Sequence, residues 1–154
     1  MANYILLERI ELNQSASSVT FSNIPQTGYT DLKIVASTRD TDASANNGYV
    51  LMTFNGSTTS YSTRWIRGSG SAASSAIGGT SNIDIGIGGA MDSAGNTAST
   101  FSNIEVYIPN YTSSNYKSTS TDSVSESNAT AAYMGLEAGL WSNTAAITSI
   151  SFAP

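Results

Sequence analysis

Apolar residues recur at every second position along most of this chain. Ile83-Asp84-Ile85-Gly86-Ile87 and Ile104-Glu105-Val106-Tyr107-Ile108 alternate apolar with polar or small side chains, and Val19-Thr20-Phe21 and Leu32-Lys33-Ile34-Val35-Ala36 fit the same template. A period of two is the mark of a strand with one face on a core. No long stretch carries the i, i+3, i+4, i+7 pattern of an amphipathic helix. The best helical candidate, Ala129–Leu140, contains Gly135 and Gly139, each costing about 1 kcal/mol in a helix interior.

The pattern predicts strands near Tyr4–Leu12, Val19–Phe21, Asp31–Ser37, Tyr49–Phe54, Tyr61–Arg67, Ile83–Gly88, Phe101–Pro109, Tyr116–Ser125, Ala132–Trp141 and Ile147–Phe152. Turn chemistry separates them: Asn46-Asn47-Gly48, Asn55-Gly56, Gly78-Gly79, Gly88-Gly89 and Ala94-Gly95-Asn96. Asn and Gly adopt positive φ at low cost, as tight hairpin turns require. Asn55-Gly56, between Val50–Phe54 and Tyr61–Arg67, is the clearest hairpin signal. Short strands at this spacing indicate an all-β fold, a single-domain antiparallel β-sandwich of jelly-roll-like type spanning residues 1–154. The Gly/Ser/Ala-rich stretch over about 68–82 lacks a hydrophobic pattern apart from Ile77 and reads as a mobile loop. In a sharper reading it is a contact arm that orders on assembly. No internal repeat or domain boundary is evident.

Composition changes the picture by what it lacks. The chain has no His and no Cys, and only 11% of its residues are charged. It is therefore without the usual proton shuttle at neutral pH, the commonest metal ligand and the most nucleophilic side chain. Ser, Thr, Asn and Gly fill much of the sequence instead, which suits a contact surface better than a catalytic one. The expectation is a protein that is not an enzyme, with no catalytic, cofactor-binding or metal-binding residues and no cofactor. The net charge is −5, and Arg9, Lys33, Arg39, Arg64, Arg67 and Lys117 are scattered. They form no basic stripe to neutralise phosphates, so nucleic acid is not an expected partner. No apolar run approaches the ~18 residues of a membrane span, and membrane insertion is not expected. Glu8 and Arg9 interrupt the apolar run Ile5–Leu7, so a secretory signal is not expected either.

Several constellations could carry chemistry. Asp40, Asp42, Ser44 and Asn46 alternate as calcium-loop ligands do, but Ala45 stands where the turn needs Gly and Leu51 where the bidentate Glu belongs. A polar loop is the simpler reading. Sequons at Asn13, Asn55, Asn110 and Asn128 are expected by chance in so Ser/Thr-rich a chain. Glu105, Glu126 and Glu137 lie in or near strands that could face each other as a glycosidase pair. Any chain with 11 acids offers such pairs. Trp65 and Trp141 could present rings to sugars, although large aromatics at such positions mostly serve a core or an interface.

The stretch Tyr107–Ile150, "YIPNYTSSNYKSTSTDSVSESNATAAYMGLEAGLWSNTAAITSI", resembles a family of bacteriophage virion structural proteins common in phages of cyanobacteria and other aquatic bacteria. "YTDLKIVASTRDT", "TFNGSTTSYSTRWIRGSGSAASS" and the opening "MANYILLERIEL" are similar to it as well, so the resemblance covers nearly the whole chain. It implies a β-sandwich on the virion, made in the host bacterial cytoplasm and released by lysis. Its role there would be capsid decoration (cement) or a place in a tail fibre. It brings no catalytic residues. The implied partners are phage capsid or other virion proteins. Strand edges with only Pro25, Pro109, Pro154 and two Lys in the chain to block them predict a homo-oligomer, with a trimer by analogy to other virion attachments. A host-surface glycan is a further candidate partner, for a receptor-contacting domain or a free lectin-like module. Similar sequences continue past the equivalent of Phe152 into one more strand, whereas this chain stops at Pro154. Ile147–Phe152 is thus expected to be an open edge, and the Ile147–Pro154 segment to lie at or beside an intermolecular contact.

Overall fold

The computed structural model describes residues 4–43, 48–86, 91–128 and 132–154. Among them are ten strands: β1 (Val19–Phe21), β2 (Leu32–Thr38), β3 (Leu51–Phe54), β4 (Tyr61–Gly68), β5 (Ala73–Ile77), β6 (Ile83–Asp84), β7 (Ser102–Ile108), β8 (Lys117–Ser125), β9 (Tyr133–Trp141) and β10 (Ile150–Ala153). They form two antiparallel sheets, β1-β10-β3-β6 and β2-β7-β8-β9-β4-β5. The described residues contain no helix long and apolar enough to cross a membrane.

The pairing explains the jelly-roll-like character. β1 lies beside β10, β2 beside β7, β3 beside β6 and β4 beside β5. First pairs with last and each inner pair follows, as in a long antiparallel hairpin rolled into two layers. The departure is local. β7, β8 and β9 form a meander in which each strand pairs with the next, so three strands stand where a simple roll would have one.

Alternation in β7 sends Ile104, Val106 and Ile108 inward and Asn103 and Glu105 outward. They meet Met52 and Phe54 of β3, Ile83 of β6 and Ile150 of β10 in one apolar cluster between the sheets. Trp141, 1% exposed, fills the end of that cluster. Its ring stacks on Tyr61 at 6.2 Å with an 18° interplanar angle, and meets Phe54 edge-on at 5.6 Å. Tyr111 closes the same end: its hydroxyl donates to the Pro25 carbonyl, and its own carbonyl accepts from the Ile147 N–H at 3.0 Å.

Several expectations are corrected. Asn55 (φ 53°) and Gly56 (φ 68°) do make a tight turn, closed by the Ser57 N–H on the Phe54 carbonyl at 2.9 Å. The strands on either side do not form a hairpin, because β3 and β4 belong to different sheets. The Asn55 side chain explains the diversion. Its amide nitrogen donates to the Ala146 carbonyl at 2.8 Å, and its oxygen accepts from the Thr148 and Ser149 N–H groups at 2.8 and 3.1 Å. The turn is thereby pinned to the approach of β10. The stretch read as a mobile loop over 68–82 contains β5, which pairs with β4 after a turn in which Ser69 N–H donates to the Ala72 carbonyl and Gly70 has φ 80°. Both faces of β5 are exposed, so burial left no alternation to detect. Tyr4–Leu12 is in no strand. The expected open edge at Ile147–Phe152 is overturned too: residues 150–152 pair with β1 on one side and β3 on the other. Expectations resting on Ser44, Asn46, Asn47, Ile87, Gly88, Gly89 and Ala129–Ala131 lie outside the described residues.

Candidate interaction surface

The six-stranded sheet is wider than the four-stranded sheet it covers, and on the wider side the usual amphipathy is inverted. β9 points Glu137 inward and Met134 and Leu136 outward, and β4 points Thr63 inward and Ile66 outward. Register puts Leu136 beside Ile66, and Ile77 of β5 beside Arg64 one row along. Ile66, Ile77, Met134 and Leu136 are each more than half exposed on this face. Ile66, Ile77 and Leu136, together with Ala138, line a shallow depression rimmed by Arg64. A contiguous apolar patch of this kind, with a charge at its border, is the usual mark of a protein contact.

A second apolar feature lies at the opposite edge. Tyr4, Ile5, Leu6, Leu7, Ile10 and Leu12 are all exposed. Arg9 and Glu11 share an ion pair of 2.6 Å, and side chains two apart that meet on one side signify an extended backbone. Beside this segment the two sheets part, leaving a cleft of about 980 Å³ bordered by Ile10, Leu12, Phe21, Ile34, Ile104 and Phe152.

Between the sheets runs a polar seam. The inward face of β8 is Lys117, Thr119, Thr121, Ser123 and Ser125, all buried. Thr121 is the register partner of Glu137, and Thr119 and Thr63 flank Gly139. Among the described residues, the hydroxyls of Thr63, Thr119, Thr121 and Ser123, both Glu137 oxygens and the Trp141 indole nitrogen have no hydrogen-bond partner. Burial, reinforced by the nearby Asp84 carboxylate, pushes the Glu137 carboxyl up to about 9. It is therefore a neutral acid at physiological pH, able to donate one proton to a hydrogen bond. At one end of the seam the Lys117 ammonium donates to the Ser113 and Asn115 carbonyls, and desolvation lowers its pKa. At the other, buried Asp92 accepts from the Ser125 hydroxyl at 2.6 Å.

The residues singled out by spacing do not assemble into catalytic groups. Glu105 sits on the outer face of β7, ion-paired with Lys33 at 2.8 Å, while Glu137 is on the inner face of β9 two strands away. The two cannot flank one glycosidic bond. Glu126 is exposed beyond the end of β8 and accepts from the Asn128 N–H. Asp40 donates its N–H to the Asp92 carbonyl at 2.8 Å, and its own carboxylate accepts from the Asp42 N–H. Among the described residues no group of three or more acids is placed to hold a metal ion. Asn55, Asn110 and Asn128 all sit at positive φ, as turn residues. Trp141 is a core residue, and Trp65 is half-buried with the Arg67 guanidinium 5.2 Å over its ring. What spacing missed was the outward apolar row, and alternation held the signal: in Met134-Gly135-Leu136-Glu137-Ala138-Gly139-Leu140-Trp141 the strand must turn either its leucines or its tryptophan outward. No family model, curated protein or solved structure matches this chain.

Proposed function

We propose that this chain is a non-enzymatic bacteriophage virion structural protein, a decoration (cement) protein that binds the capsid surface as a homo-oligomer, with a trimer as the working stoichiometry. The observation that carries the reading is the outward apolar row of Ile66, Ile77, Met134 and Leu136. Four large side chains held in water on a sheet, while the same strands turn Thr63 and Glu137 inward, gain free energy when another apolar surface covers them, as a protein partner does. The resemblance of the sequence to virion proteins supplies the particle. The alternative of a tail-fibre or receptor-contacting domain, or a lectin-like module, shares the fold. Trp65 is the indole a glycan would have to reach, and Arg67 already stands over it.

The test is binding of the purified protein to capsids assembled without it. Wild type is expected to saturate a fixed number of sites per capsid. Ile66→Glu/Leu136→Glu is expected to lose binding by more than tenfold with its melting temperature nearly unchanged, since both side chains are already exposed. Absence of wild-type binding, or full binding by the double variant, would overturn the reading.

A further inference from the structure

From the extended segment and the cleft we infer that Tyr4–Leu12 of one copy of this chain adds as a strand to the free edge of β2 in a second copy. The inference rests on the homo-oligomer part of the proposed function and names the surface that makes it. Two incomplete halves of a ladder are present in one chain. The first is the segment itself, extended, with Tyr4, Ile5, Leu6, Leu7, Ile10 and Leu12 in solvent and no strand pairing among the described residues. An isolated strand is not stable in water, so one held extended and apolar calls for a sheet to join. The second is β2, the terminal strand of its sheet, which among the described residues pairs with β7 alone. Its other edge pairs with no strand among the described residues, with Val35 67% exposed and no proline to block addition.

Direction selects a second copy as the occupant. In its own chain the segment follows β2: the Tyr4 ring lies 5.4 Å from the Lys33 ammonium near the start of β2, and Arg9–Gln14 border the cleft shared with residues 34–41 further along. Self-addition would therefore be parallel, the weaker ladder, in a fold whose every strand pair is antiparallel. A second copy can offer the segment in the opposite sense. The chain's own Ile10 and Leu12 border the cleft beside Ile34, Phe21 and Phe152, so the incoming segment takes their place as two copies exchange segments, and its backbone completes the β2 edge.

The absence of native cysteine makes the test clean. Antiparallel addition brings the Ile5 end of the segment to the Ser37 end of β2, whereas within one chain the segment start lies by Lys33. Ile5→Cys and Ser37→Cys variants carrying different affinity tags are mixed, allowed to exchange and treated with a short bis-maleimide. An interchain product carrying both tags is expected, and none from a control mixture of Ile5→Cys with Ser120→Cys on the outer face of β8. Leu6→Asp/Ile10→Asp is expected to shift the sedimenting species to a monomer. Absence of the two-tag product while wild type still sediments as an oligomer overturns the strand addition and leaves the homo-oligomer standing. A monomeric wild type overturns both.

Discussion

Trp141 and Glu137 lie four residues apart on the inner face of β9 and pull in opposite directions. Trp141 touches Tyr61 and Phe54 at the end of the core, and Trp141→Ala is expected to cost roughly 3–5 kcal/mol, read from the denaturant midpoint. Glu137 carries a penalty. The unfolded chain releases its proton near 4.5 while the folded chain holds it to about 9. Between those values the folded state binds more protons, so stability is greatest below the lower one and falls as pH rises, by at most about 1.4 kcal/mol per unit. Glu137→Gln is expected to flatten that decline and to be the more stable protein at about pH 8. A wild-type midpoint that does not fall between about pH 5 and pH 8 would refute this. The burial of Trp141 could be read from a large aromatic in an alternating strand. The burial of Glu137 could not, because it follows from Trp141: both share one face, and the larger side chain decides which way the strand turns.

At the scale of elements, close approach between layers makes Gly139 a sensitive point. A Cβ there would collide with the Thr119 hydroxyl and lie 2.9 Å from the Ile83 Cγ2. Gly139→Ala is expected to cost about 1–3 kcal/mol through forced separation of β8 and β6 from β9, again read from the denaturant midpoint. Alternation located nine of the ten strands within a few residues, since one buried face imposes a period of two. It could not locate β5, whose both faces meet solvent. It also drew a strand at Tyr4–Leu12, which pairs with no strand among the described residues. Sheet membership was not legible at Asn55-Gly56 either. The turn chemistry is local, whereas the bonds that send β4 to the other sheet come from the Asn55 side chain to residues 146–149, some ninety positions away.

The whole molecule is a rolled sandwich with two apolar features on different edges. One is the row on β9, β4 and β5, assigned to the capsid. The other is the Tyr4–Leu12 segment with the β2 edge, assigned to a neighbouring copy. On the proposed reading this division would let one chain tile a surface, with lateral contacts through strands and a docking face turned to the particle. The most direct measurement is immunogold labelling of intact virions whose genome encodes this chain, using antibodies to the purified protein. Gold distributed regularly over the capsid is the predicted result. Virions that remain unlabelled on every surface while the free protein reacts would contradict it.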